Sequence, residues 1–193
     1  MNFLAHIVLS GPDPEVAIGN FIADSILPKE RGLLSPKMQK GIEPHHAIDS
    51  FTDQHHAFKN TVQLLRPSLK KYAPVAADVF YDHFLASHFQ DFHAQNLKTF
   101  TAGFYASLTQ YKNQLPGKGR ELANYIIQYD WLNMYSSVEG LHNILCQMAQ
   151  RTRFESNLDK ASLTLQEYYE EINFDFHLLF PGLRDLSKNL LKN

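Results

Sequence analysis

Disulfide chemistry is the first thing this sequence lacks. Its 193 residues hold one cysteine, Cys146, so no intrachain bridge can form and a reducing compartment is the natural home. Long apolar runs are missing too. No stretch approaches the ~18 apolar residues that cross a bilayer. The opening "MNFLAHIVLSG" has no basic segment and is interrupted by His6, unlike a secretory leader. These absences predict a cytoplasmic protein without membrane contact. Strand-like alternation is scarce, and there is neither an internal repeat nor a low-complexity segment. Net charge is only −2, with no basic stripe interleaved with aromatics, which argues against nucleic-acid binding.

What is there is the composition of a globular domain, 44% hydrophobic and 20% charged. Apolar spacing of three and four recurs between helix-start signals. Asp13-Pro14-Glu15 combines a cap, a first-turn proline and an acid, and predicts a helix over 14–27 that stops before Pro28. Ser35-Pro36 repeats the signal and opens the helix that carries "GIEPHHAIDSFTD" at 41–53. Pro44 removes a backbone hydrogen bond there and predicts a kink. Pro67 and Pro74 read as starts of further helices, the second running through "VAADVFYDHFLASHF". Periodic blocks follow at 97–114, 120–129, 136–151 and 162–180, the last closed by Pro181-Gly182, and "QLPGKGR" at 114–120 reads as loop. The expectation is one all-α domain over 1–193, with about eight to eleven helices in a compact orthogonal array.

Between residues 29 and 71 there are eight basic residues against four acids. If Asp49 and Asp53 are engaged in a site, the remaining surface is basic and favours an anionic partner; otherwise it is a solvated helix face.

Several ionisable groups stand where apolar residues are expected. His6 is flanked by Leu4, Ala5, Ile7 and Val8; Asp24 lies within "AIGNFIADSIL"; Asp78, Asp82, His83 and His88 lie among large hydrophobics. A carboxylate on a buried helix is costly unless it is paired or binds a cation. Spacing lets some of them meet, since residues four apart share a helix face: His45 with Asp49, Asp49 with Asp53, and Asp78 with Asp82. Two histidines plus carboxylates from separate helices suit manganese, iron, magnesium or zinc, without the thiolates of a structural zinc site. A divalent ion with open positions activates water against a phosphoryl or carbonyl centre. Each residue also has a plainer reading. His6 can be a hydrogen-bonded core histidine, Asp24 a helix cap, and Asp53 and Asp78 surface acids. His55, His56, His93, His142 and His177 are read as structural, and His46 and His88 are open between the two roles.

Together "MNFLAH" at the start, "GNFIAD" at 19–24, "HHAIDSFTD" at 45–53 and "DVFYDHFLASHF" at 78–89 resemble the acyl carrier protein phosphodiesterase family, also called acyl carrier protein hydrolase. "NYIIQYDWLNMY" and "LCQMAQR" extend the likeness through the second half. The resemblance implies an all-helical fold like that of HD-domain metal phosphohydrolases. It implies a phosphoric diester hydrolase that frees 4′-phosphopantetheine from a serine of acyl carrier protein, turning holo- into apo-carrier, with a divalent cation that is typically manganese. It falls on His6, Asp24, His45, Asp49, Asp53, Asp82 and His83. It implies metal binding by His6, Asp24, His45, Asp49, Asp82 and His83, with Asp24, Asp49 and His83 in catalytic roles. The family often has arginines after the position of His45; here His46 and Ala47 follow, so Lys37, Lys40, His46 and Asp53 are the expected substrate contacts. An acidic carrier protein as partner gives the basic 29–71 window meaning as a docking rim. Two alternatives remain: an HD-like phosphohydrolase acting on a nucleotide or other small phosphoester, and a non-catalytic metal-binding helical protein.

Overall fold

Side-chain caps set where many of the helices begin. In a computed structural model that describes residues 1–192, Asn2 caps α1 (Phe3–Val8), Asp13 caps α2 (Pro14–Ile22) and Ser35 caps α3 (Pro36–Gln54), each accepting a first-turn backbone N–H. His55 does the same for α4 (His56–Leu69), and α5 (Ala73–Ser87) follows after a 3-10 turn with Pro74 in its first turn. Then come the single turn α6 (Phe89–Phe92), α7 (Leu97–Tyr111) capped by Asn96, α8 (Gly117–Gln128) and the single turn α9 (Trp131–Met134). α10 (Val138–Ala149) is capped by Ser137, and α11 (Ala161–Glu167) and α12 (Tyr169–Leu191) complete the chain. No strand occurs among the described residues, so the all-α expectation holds. No described helix is long and apolar enough to cross a membrane.

Four boundaries differ from expectation. The helix from Asp13 stops at Ile22 and tightens into a 3-10 turn over Ala23–Ser25, which puts Asp24 outside the α-helix and exposed. Pro67 lies in the last turn of α4 instead of starting a helix. The loop expected at 114–120 ends at Pro116, because Gly117 already opens α8 and Gly119 is buried against Ile26. The block at 162–180 is two helices broken at Tyr168, and Pro181 lies inside α12, which runs on to Leu191. A proline frees the carbonyl four residues back. For Pro44, Pro67 and Pro181 those carbonyls belong to Lys40, Gln63 and His177, all exposed residues, where solvent can supply the lost donor. Burial of Leu179, Phe180, Leu183 and Ser187 then favours continuing α12 past Pro181.

α5 is the central helix. Phe80, Tyr81 and Phe84 are wholly buried, together with Tyr135, Phe176 and Phe180 from other helices. Each such side chain contributes about 1.5–3 kcal/mol by leaving water. α2 and α3 cross at backbone distance. A Cβ on Gly19 would lie 1.9 Å from the Met38 carbonyl oxygen, and one on Gly41 would lie 2.1 Å from that of Val16. Only glycine at both positions permits this approach, and the crossing brings the end of α2 beside the middle of α3.

Candidate metal centre

Three backbone segments deliver the cluster. α1 presents His6, and its first turn is held by Asp82 of α5, whose carboxylate accepts the N–H groups of Leu4 at 2.6 Å and Ala5 at 3.1 Å. Carboxylate acceptors at a helix N-terminus satisfy orphan donors and match the helix dipole. α3 presents His45 and, one turn later, Asp49 on the same face. The 3-10 turn after α2 presents Asp24.

The His6 and His45 rings stack with centroids 4.1 Å apart. His6 Nε2 lies 3.1 Å from Asp49 Oδ1, and His45 Nε2 lies 3.1 Å from Asp49 Oδ2 and 3.2 Å from Asp24 Oδ1. One ligand atom each from His6, His45 and Asp49 falls within 4.8 Å of the others. His6 and His45 border a pocket of about 260 Å³ that is also lined by Phe3, Phe21, Asp24, Val75 and Asp78. The Met1 α-amino group lies 2.8 Å from Asp78 and 3.7 Å from Asp49.

Charge in the cluster is unevenly held. Burial lowers the His6 pKa to about 4, against the opposing hydrogen bond to Asp49. Burial also disfavours charge on His45, but the carboxylates of Asp24 and Asp49 outweigh it and raise its pKa to about 9. Asp49 is held well below the usual carboxylate range: burial opposes this, and the adjacent His45 and His6 imidazoles prevail. Asp24 is lowered by the same imidazole.

Two features fit a divalent cation here. His45 Nε2 is buried and makes no well-formed hydrogen bond, although oxygens of Asp49 and Asp24 lie 3.1 and 3.2 Å from it. The donors are imidazole nitrogens and carboxylate oxygens, the mixture that borderline and hard divalent ions share.

Asp82 and His83, also expected at the centre, have their polar atoms engaged elsewhere in this structure. Both Asp82 oxygens are taken by the α1 backbone, and burial raises its pKa to about 7. His83 is hydrogen-bonded through Nδ1 to the Tyr135 carbonyl at 2.7 Å and through Nε2 to the Tyr169 hydroxyl at 3.3 Å. Asp53 is exposed one turn beyond Asp49 and has no ion pair among the described residues. Lys37 is occupied by Asp13 at 2.8 Å, whereas exposed Lys40 has no such partner among the described residues. His46 is exposed on the opposite side of His45 from the core, and its Nε2 accepts from Arg31 Nη2 at 3.2 Å. His88 is exposed beside His177, away from the cluster.

Two residues not singled out from the sequence stand against the site. Arg31 was only one of eight basic residues, and nothing local marks its reach to His46. Asn20 was hidden inside the quoted "GNFIAD", where an uncharged amide among apolar residues was the available signal.

The family described as "Acyl carrier protein phosphodiesterase" matches residues 1–183. The relative from Pectobacterium atrosepticum is 25% identical over 189 residues, covering 97% of this chain and 98% of its own. That from Serratia proteamaculans is 26% identical over 190 residues, covering 98% of each. One from Salmonella dublin is 27% identical over 184 residues, covering 95% of each. All three are named acyl carrier protein phosphodiesterase. No solved structure matches the chain.

Proposed function

The chain belongs to the acyl carrier protein phosphodiesterase family, and we propose that it hydrolyses holo-acyl carrier protein to apo-carrier and 4′-phosphopantetheine in a metal-dependent reaction. The observation that carries this reading is the convergence of His6, His45 and Asp49 within 4.8 Å, beside Asp24, in a chain that matches the family over nearly its whole length. The whole chain acts as one hydrolase domain in the cytoplasm.

His6 Nε2, His45 Nε2 and Asp49 would hold the divalent ion, with manganese the first candidate and magnesium, iron or zinc compatible with the same donors. When bound, such an ion lowers the pKa of water and draws charge from the phosphoryl oxygens. Asp24 is open to solvent at the pocket mouth and within 3.2 Å of His45 Nε2, so its carboxylate is placed to orient the attacking water and take its proton. The apolar wall of Phe3, Phe21 and Val75 gives the pantetheine arm a surface to pack against.

The rim faces the carrier. Arg31 and Lys40 are exposed and without carboxylate partners among the described residues, and His46, next in sequence to His45, accepts a hydrogen bond from the Arg31 guanidinium. A guanidinium bound to one imidazole keeps donors free for a carboxylate or phosphate. Lys37, engaged by Asp13, contributes less than expected.

The deciding experiment is incubation of the protein with holo-acyl carrier protein and manganese, followed by intact-mass measurement of the carrier. Loss of phosphopantetheine with wild type, and none with Asp24→Ala or Asp49→Ala, is the expected result. A carrier that stays intact with every divalent metal would sink the reading.

A further inference from the structure

Asn20 lies one turn before Asp24 and is wholly buried. Its Oδ1 is 2.9 Å from His6 Nδ1 and 3.2 Å from His45 Nδ1. Its Nδ2 donates to the His6 carbonyl oxygen at 3.1 Å and to Ser10 Oγ at 2.9 Å. The Ser10 hydroxyl in turn donates to the same carbonyl at 2.7 Å, so its lone pairs are what Nδ2 meets. Two acceptors on one side of the amide therefore settle its orientation: nitrogen towards Ser10, oxygen towards the histidines.

An amide oxygen only accepts, so each Nδ1 that faces it carries a proton. A neutral imidazole has one N–H; with Nδ1 protonated, its lone pair is on Nε2. Both Nε2 atoms lie 3.1 Å from an oxygen of Asp49, another acceptor, and His6 Nε2 also lies 3.2 Å from the Met1 carbonyl oxygen. Each ring is thus flanked by an acceptor at both nitrogens: a protonated ring donates to both, and a neutral ring meets both when a cation takes the place of the Nε2 proton.

We infer that Asn20 is the positioning residue of the centre: one amide oxygen locks His6 and His45 together in the Nδ1–H tautomer and aims both Nε2 lone pairs at a single divalent ion. In metal sites the group that holds a ligating histidine is commonly a carboxylate or a carbonyl serving one ring. Here one neutral group serves two rings on different helices. It adds no negative charge, so Asp49 and Asp24 remain the carboxylates that set the charge of the cluster. The close α2–α3 crossing at Gly19 and Gly41 is what brings Asn20 within reach of His45.

The inference rests on the metal centre proposed above but not on the substrate. Manganese affinity and stoichiometry of the purified protein are measured by titration against a competing chelator, without any turnover. Asn20→Ala is expected to bind one ion ~10- to 100-fold more weakly than wild type. Asn20→Asp keeps the acceptor and is expected to restore most of that affinity. Wild-type affinity in Asn20→Ala, or an equal loss in Asn20→Asp, would overturn the assignment. Because Asn20→Ala also removes two buried hydrogen bonds and can fail to fold, a second measurement uses wild type alone. Nitrogen-15 NMR of the zinc-loaded protein should show both rings with Nδ1–H and the ion on Nε2; either ring in the opposite tautomer refutes the inference. A wild type that binds the ion this way yet leaves holo-carrier intact removes the substrate reading only. A wild type that binds no ion removes both.

Discussion

His6–His45–Asp49 and Asp82–His83 look alike on paper. Each joins imidazole to carboxylate on helices rich in apolar residues, and each is largely buried. Their surroundings differ. Every polar atom of the second pair has a fixed partner: backbone N–H groups for Asp82, a carbonyl and a phenol for His83. In the first cluster the ligand atoms converge on one another and His45 Nε2 makes no well-formed hydrogen bond. A satisfied polar group stabilises the fold, whereas an arrangement of acceptors around an empty centre invites a cation. Burial alone does not distinguish the two; the direction of each lone pair does.

The comparison can be broken from either side. The largest effect is expected at the convergent cluster. His45→Ala should abolish stoichiometric manganese binding and lower phosphodiester cleavage by more than the ~100-fold typical of losing an orienting residue. Its thermal unfolding without metal should shift downward, because the imidazole that offsets the Asp24 and Asp49 carboxylates is lost. Metal retained at wild-type affinity in this variant would merge the two regions again.

Asp82→Ala should behave in the opposite way. It leaves the Leu4 and Ala5 N–H groups buried without acceptors, at about 1–3 kcal/mol each. Urea unfolding should show a loss of about 2–6 kcal/mol, with one ion still bound by the folded fraction. A stable Asp82→Ala protein that binds no metal would place Asp82 in the centre after all.

The pH dependence of stability sharpens the same contrast. The folded pKa of Asp82, about 7, exceeds its unfolded value of 3.8. Between those values the native state keeps a proton that the unfolded chain releases, so this group's contribution is fullest at low pH and falls as pH rises through 7. The slope is on the order of 1 kcal/mol per pH unit. The stability difference between wild type and Asp82→Asn should therefore decline from pH 4.5 to pH 7; a constant difference would show that Asp82 is ionised throughout.

The smallest effect is expected at the rim. Arg31→Ala and Lys40→Ala should each raise KM for holo-carrier by a few-fold with kcat unchanged, and added salt should reduce the difference from wild type. Unchanged KM in both variants would remove this face from carrier docking.

Local signals were enough for much of the fold. Asp13-Pro14 and Ser35-Pro36 start helices where a cap followed by proline requires it. His45 and Asp49, one turn apart, share a face for the same reason in the sequence as in the structure. The signals misled where burial outweighed local preference: Pro67 and Pro181 are tolerated within helices because their orphaned carbonyls belong to exposed residues. For Asp82 and His83, a hydrogen-bond partner distant in sequence cannot be inferred from helical spacing. Leu4 is 78 residues from Asp82, and Tyr135 is 52 from His83.

By itself the sequence determined the helical class, several helix starts and the types of residue available to a metal, because these depend on neighbours within a few turns. Only the tertiary structure decided which of those residues meet. That depended on two glycines that let α2 and α3 touch backbone to backbone, and on one asparagine that turns two imidazoles towards the same point. Close approach and lone-pair direction are properties of contacts between distant segments, and no period or spacing along one helix encodes them.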